Sequence, residues 1–123
     1  ENYVFCHGFI PVNCNDGLPM YYKRHLKFSK KEDWRYAHQR EWDDAMWLNG
    51  MEMVMDGFGI EKCIVVGHYH TSWGHAIQDK TFNEFGEGAD FSPFYYEDKL
   101  IAIDGCTAHT GKVNVLVLED EFI

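Results

Sequence analysis

The chain has 123 residues, the length of one domain, and its 46% hydrophobic and 16% aromatic content is enough to fill a core. Its net charge of −9, with no long basic run, makes nucleic acid an unlikely partner, because phosphate-backbone binding rests on Lys and Arg. No apolar run approaches the ~18 residues of a membrane-spanning helix, so no membrane partner is expected.

Tyr3 to Cys6 reads as a buried strand. Residues 11–20 carry Pro, Asn, Asp and Gly and read as loop, with a tight turn at Asp16-Gly17. Tyr21 to Phe28 is either a short strand or the return of that loop. Ser29, with Glu32 three residues on, has the pattern of a capping box and predicts a helix start. The stretch 30–48 is then one long helix or two short ones broken near Ala37 to Gln39. Asn49-Gly50 ends it, and Met51 to Met55 adds a further turn before Gly57 and Gly59. Trp34, Trp42 and Trp47 read as core.

Cys63 to Val66 is a continuous apolar run, as in a strand buried on both faces. Gly67, His68, Tyr69 and His70 come directly after it. Residues 71–98 show no clear period, yet hold Trp73, Phe82, Phe85, Phe91, Phe94, Tyr95 and Tyr96. An irregular segment of that length and aromatic content reads as an insertion or lid over a site. Residues 99–104 and 113–118 are predicted strands, joined as a hairpin through Thr110-Gly111-Lys112.

Four cysteines are present, Cys6, Cys14, Cys63 and Cys106, with no Cys-x-x-Cys pair. Three lie in or beside predicted strands, where a free thiol behaves as a small hydrophobe. A cytoplasmic location is therefore the expectation.

The chemistry concentrates after the strand at 63–66. Ligands in open α/β sheets bind at the carboxyl ends of strands. In an extended segment, residues two apart point to the same side, so His68 and His70 can converge. His7 likewise ends the first strand, at Cys6-His7-Gly8. On residue type alone each is either a metal ligand or a histidine hydrogen-bonded at a strand end.

The Gly-His-x-His motif at Gly67 to His70 resembles the last metal-binding block of the calcineurin-like metallophosphoesterases. Tyr3-Val-Phe-Cys-His-Gly-Phe-Ile-Pro11 resembles the strand and His-Gly block that precedes it. Leu100-Ile-Ala-Ile-Asp-Gly-Cys106 and Lys112-Val-Asn-Val-Leu-Val-Leu118 resemble the closing strand pair. There Gly105 comes directly after Asp104, whereas the family has one residue between. Trp47-Leu-Asn-Gly50 stands where phosphatase-type members carry a Trp and Asn-Gly element. The resemblance runs in order from about residue 3 to 119. The family's Asp-x-His, Gly-Asp-x-x-Asp and Gly-Asn-His blocks do not occur in the sequence.

The resemblance implies an α/β chain, the C-terminal half of a four-layer α/β/β/α sandwich, with a mixed sheet and a C-terminal β-hairpin. It implies two divalent metal ions (Mn, Fe or Zn) in the intact protein. His7 and His68 would bind one metal, and His70 would face the other. Phosphatase-type members often have Gly-His-Thr-Pro, which leaves His70 the more replaceable of the two. Asp104 is either a carboxylate orienting a ligand histidine or a turn aspartate capping Gly105. Arg24, Arg40 and His75 are weaker candidates for holding a phosphoryl group. The implied activity is phosphoester hydrolysis, on a phosphorylated protein or a small phosphoester. The bridging aspartate, the asparagine ligand and the general-acid histidine would come from the absent blocks, so these residues alone are expected to be inactive. Two other readings stay open: a non-catalytic binding or structural fragment, and a mononuclear zinc site built from His68, His70 and a third histidine. Strand edges left without neighbours predict self-association.

Overall fold

The computed structural model describes residues 2–14 and 28–119. Its main sheet has four strands in the order β1 (Tyr3–Cys6), β4 (Cys63–Val66), β6 (Leu100–Ala102), β5 (Phe94–Tyr96). The first three are parallel and β5 runs antiparallel to β6, so the sheet is mixed. A second, two-stranded antiparallel ladder joins β2 (Asn13–Cys14) to β3 (Phe28–Ser29). The fold is thus α/β with four helices among the described residues. Two parallel steps, β1 to β4 and β4 to β6, require crossovers. The first carries helices α1 (Gln39–Ala45) and α2 (Gly50–Met55). The second carries α3 (Thr71–Gln78).

Alternation sorts the strand residues by face. Ile64, Val66, Leu100, Ala102 and Phe94 turn to one side and join Phe9, Ile10, Met51, Met53 and Val54 in the core. The other side carries the row Phe5, Val65, Ile101, Tyr95. Its centre is buried, but Phe5 is 65% exposed and Tyr95 55%. Two glycines let the layers close up. A Cβ on Gly8 would run into the Met46 and Leu48 carbonyls, and one on Gly74 would sit 2.7 Å from Met51 Sδ and 2.8 Å from the Phe94 ring.

Four expectations change. Ser29 lies in β3 and caps no helix; the break near Ala37 is real, with a 3-10 turn at Trp34–Tyr36 ahead of α1. The reciprocal cap belongs to His38, whose N–H donates to Glu41 Oε2 at 2.8 Å. Asn49 opens a helix as well as ending one, because its Oδ1 accepts from the N–H groups of Met51 and Glu52 at 3.1 and 3.3 Å. The segment 71–98 is irregular only between its ends, since α3 fills 71–78 and β5 takes 94–96. Finally, the C-terminal hairpin does not form. β6 spends its two edges on β4 and β5, and residues 107–110 coil into the short helix α4. Residues 113–118 are assigned to no strand, and Val113, Val115 and Val117 are exposed.

Candidate functional site

Parallel strands end on the same edge of a sheet, so the topology gathers the residues just past β1, β4 and β6. The register Cys6–Val66–Ala102 puts His7, Gly67 and Ile103 level with one another, one residue further on. Hydrogen bonds continue the ladder there: Gly67 N–H to the His7 carbonyl at 2.9 Å and Ile103 N–H to the Val66 carbonyl at 3.1 Å. Beyond Gly67 the chain turns sharply, because His68 takes φ 65°, in the left-handed region. The turn brings the imidazole back over β1. The ring centroids of His7 and His68 lie 5.0 Å apart.

Trp47 reaches the same place from the α1–α2 junction. Phe9 N–H donates to the Ala45 carbonyl at 3.1 Å, and the missing side chain of Gly8 lets residues 46–48 pass against it. Trp47 then meets His68 edge-on with centroids 5.4 Å apart, and Tyr69 meets it at 5.2 Å. Trp47 is 59% exposed, so it is a site-edge residue and not the core residue expected of it. Burial, chiefly, holds the His68 imidazolium below the usual histidine range; the His7 charge adds to this, Asp104 opposes it, and His70 adds a smaller part. The neutral ring is the form that binds a metal.

His70 stands at the N-cap of α3, with its ring edge-on to Phe85 at 5.5 Å. Asp104 is close enough to act on His68, but its Oδ1 accepts from the Cys106 N–H at 3.0 Å. It therefore caps a turn two residues on, one further than the expected partner Gly105. Its carbonyl accepts from the Thr71 N–H at 2.9 Å, which ties the β6 loop to the start of α3. His75 is engaged elsewhere: Nε2 donates to the Ser92 carbonyl at 3.0 Å and Nδ1 lies 3.6 Å from Asp90 Oδ2. Ser92 Oγ is 3.3 Å from Nε2, but its hydroxyl donates to Asp90 Oδ1 at 2.6 Å. With Nε2 donating to a carbonyl, that ring cannot take a proton from Ser92, so the trio fastens the 90–92 loop to α3 and is no nucleophilic triad. Arg40 is exposed on α1, and Arg24 lies outside the described residues.

The His7 and His68 rings are close enough to approach one ion together, but two imidazoles are not a complete ligand set. Among the described residues no group of three or more His, Cys, Asp or Glu side chains is arranged to hold one. The aromatic members, Trp47, Tyr69 and Phe85, are not named as site residues from sequence pattern, although the Trp47-Leu-Asn-Gly50 element points to Trp47 and the aromatic segment 71–98, read as a lid, contains Phe85. Searches of the chain against protein-family models, curated proteins and solved structures found no match.

Proposed function

We propose that the chain supplies part of the metal centre of a phosphoester hydrolase, with His7 and His68 as ligands and His70 beside them. The observation that supports this best is the His7–His68 pair, with ring centroids 5.0 Å apart at the shared carboxyl edge of two parallel strands. The family resemblance, through its His7-Gly8 block and the first histidine of its Gly-His-x-His block, reads the same two residues as ligands of one metal. A divalent ion there would polarise a phosphoryl oxygen and make bound water nucleophilic at neutral pH. This chain's own part is to hold two imidazoles in place, with burial favouring the neutral form of His68. The aspartates, the asparagine and the general acid that the resemblance requires do not occur as blocks in the sequence. The phosphoester-hydrolase reading thus assigns this chain a ligand-holding role and no complete catalytic set. Phosphorylated proteins or small phosphoesters are the substrate class.

Titration with Co²⁺, monitored by its visible absorption and by histidine ring NMR, tests the reading. Binding should perturb His7 and His68 together and be lost in His68→Ala and in His7→Ala. With p-nitrophenyl phosphate and Mn²⁺ the chain should show no turnover. Co²⁺ spectra indifferent to His68→Ala, or turnover that survives it, would overturn the assignment.

A further inference from the structure

Val113 to Leu118 reads Val-Asn-Val-Leu-Val-Leu, with no charge and no proline. Among the described residues its backbone makes no hydrogen bond to another backbone group. Its exposure still alternates as in an extended strand. Val113, Val115 and Val117 are 72%, 75% and 77% exposed, while Asn114 and Leu116 are half-buried. A strand covered on both sides is apolar on both faces. This run has that character without a ladder to hold it.

β1 is its counterpart. One side of β1 pairs with β4, and no strand among the described residues lies on the other. Tyr3–Cys6 has neither a charge nor a proline, the devices that blunt an edge. Both faces of β1 are incompletely covered. Tyr3 and Phe5 are exposed on one, and Val4 and Cys6 are only partly buried where they pack against the core on the other. A strand laid along this edge must therefore be apolar on both faces, as 113–118 is. The opposite edge of the sheet, β5, has three residues and runs straight into Glu97 and Asp98, whose charges oppose pairing.

In its own molecule the run starts on the wrong side of the sheet. Asn114 Nδ2 donates to the Phe91 carbonyl at 2.8 Å, and the same side chain lies against Gly105. These contacts hold the start of the run beside the loops that precede β5 and follow β6. The order β1-β4-β6-β5 sets β4 between those loops and β1. We infer that two copies of the chain exchange this run, 113–118 of each pairing with the outer side of β1 in the other. One chain carries both the open edge and the strand that fits it. A two-fold pair therefore satisfies both at once and closes without a third molecule.

Isotope-filtered NMR on a mixture of labelled and unlabelled chain reads contacts between copies, and sedimentation gives the mass. The chain should be a dimer, with contacts from Tyr3 and Phe5 to Val115 and Val117 that cross between copies. Val115→Pro removes an N–H from the new ladder and should weaken the dimer about tenfold or more. Val115→Thr keeps the N–H and the β-branched shape and should dimerise nearly as the wild type. Both variants should keep the monomer fold, since Val115 is exposed there. A monomer at every concentration would overturn the inference, as would contacts to β5 in place of β1 or contacts confined to one copy. A Val115→Pro chain that dimerises like the wild type would overturn it too. Equal loss in the threonine and proline variants would show that no ladder forms.

Discussion

The carbonyl of His7 accepts the N–H of Gly67 at 2.9 Å, and the next residue, His68, turns left-handed. The hydrogen bond fixes where β4 stops, and the turn decides where its imidazole goes. An L-residue in that region costs about 1–2 kcal/mol. His68→Gly and His68→Ala both delete the ring, but only alanine keeps the strained Cβ. The glycine variant should be more stable than the alanine variant by about 1 kcal/mol in urea unfolding. Equal midpoints would show that His68 is not left-handed in solution.

Thr71 and Ser72 are fully buried, and their hydroxyls have no hydrogen-bond partner among the described residues. A buried unpaired polar group costs about 1–3 kcal/mol. Thr71→Val replaces the hydroxyl with a methyl of nearly the same shape and keeps the backbone N–H that Asp104 uses. It should raise stability by about 1 kcal/mol. A loss of stability would mean that the Thr71 hydroxyl is satisfied.

Burial pushes the Cys6 thiol up to about 12. In the unfolded chain a thiol ionises near pH ~8.5. The folded state therefore holds the proton more tightly, and its contribution is complete below pH ~8.5. It is lost as the pH rises from there towards 12. Between pH ~8 and ~10 the denaturant midpoint of the wild type should fall more steeply than that of Cys6→Ala. Parallel slopes would count against a shielded thiol.

One face of the sheet carries Phe5 and Tyr95 exposed beside buried Val65 and Ile101, and β1 is an edge strand. An apolar row next to an edge that pairs with no strand among the described residues is a template for another chain. Light scattering over a dilution series should report a mass above that of the monomer. Phe5→Lys should lower it, because a charge blunts both the face and the edge. A monomer at every concentration would show that the face needs no cover.

Much of the fold is legible from residue type. Cys63 to Val66 is rich in β-branched residues and bounded by Gly67, so its strand is plain; Tyr3 to Cys6 is a strand too, but at the edge of the sheet with Tyr3 and Phe5 exposed, and not the buried strand its apolar run suggests. The histidine pair is legible because both members come soon after those runs. Local pattern fails where tertiary contact decides. Thr71 to Gln78 has a glycine and few helix formers, yet it coils because Gly74 is the residue that fits between Met51 and Phe94. Lys112 to Leu118 alternates like a strand, but alternation names no partner, and β6 already pairs on both sides. Ser29 and Glu32 match a cap by spacing alone, while β2 claims Ser29 for its ladder. Trp47 looks like core because large aromatics usually are, and nothing local shows that the chain passes Gly8 at that point.

The register of β1 on β4 pairs Tyr3 with Cys63, sixty positions later in the chain (63 − 3). Such a contact closes a long loop before it returns any energy, so it forms late and slowly. By contrast, α3, β5 and β6 come within forty positions of β4 (102 − 63 = 39 from its first residue to the last of β6) and form on shorter closures. During synthesis, Tyr3 to Cys6 leaves the ribosome well before β4 exists to pair with it. His7 comes beside His68 only when β1 docks on β4. The proposed metal-binding pair is therefore a reporter of complete folding, and a Co²⁺ spectrum during refolding should appear with the slowest phase.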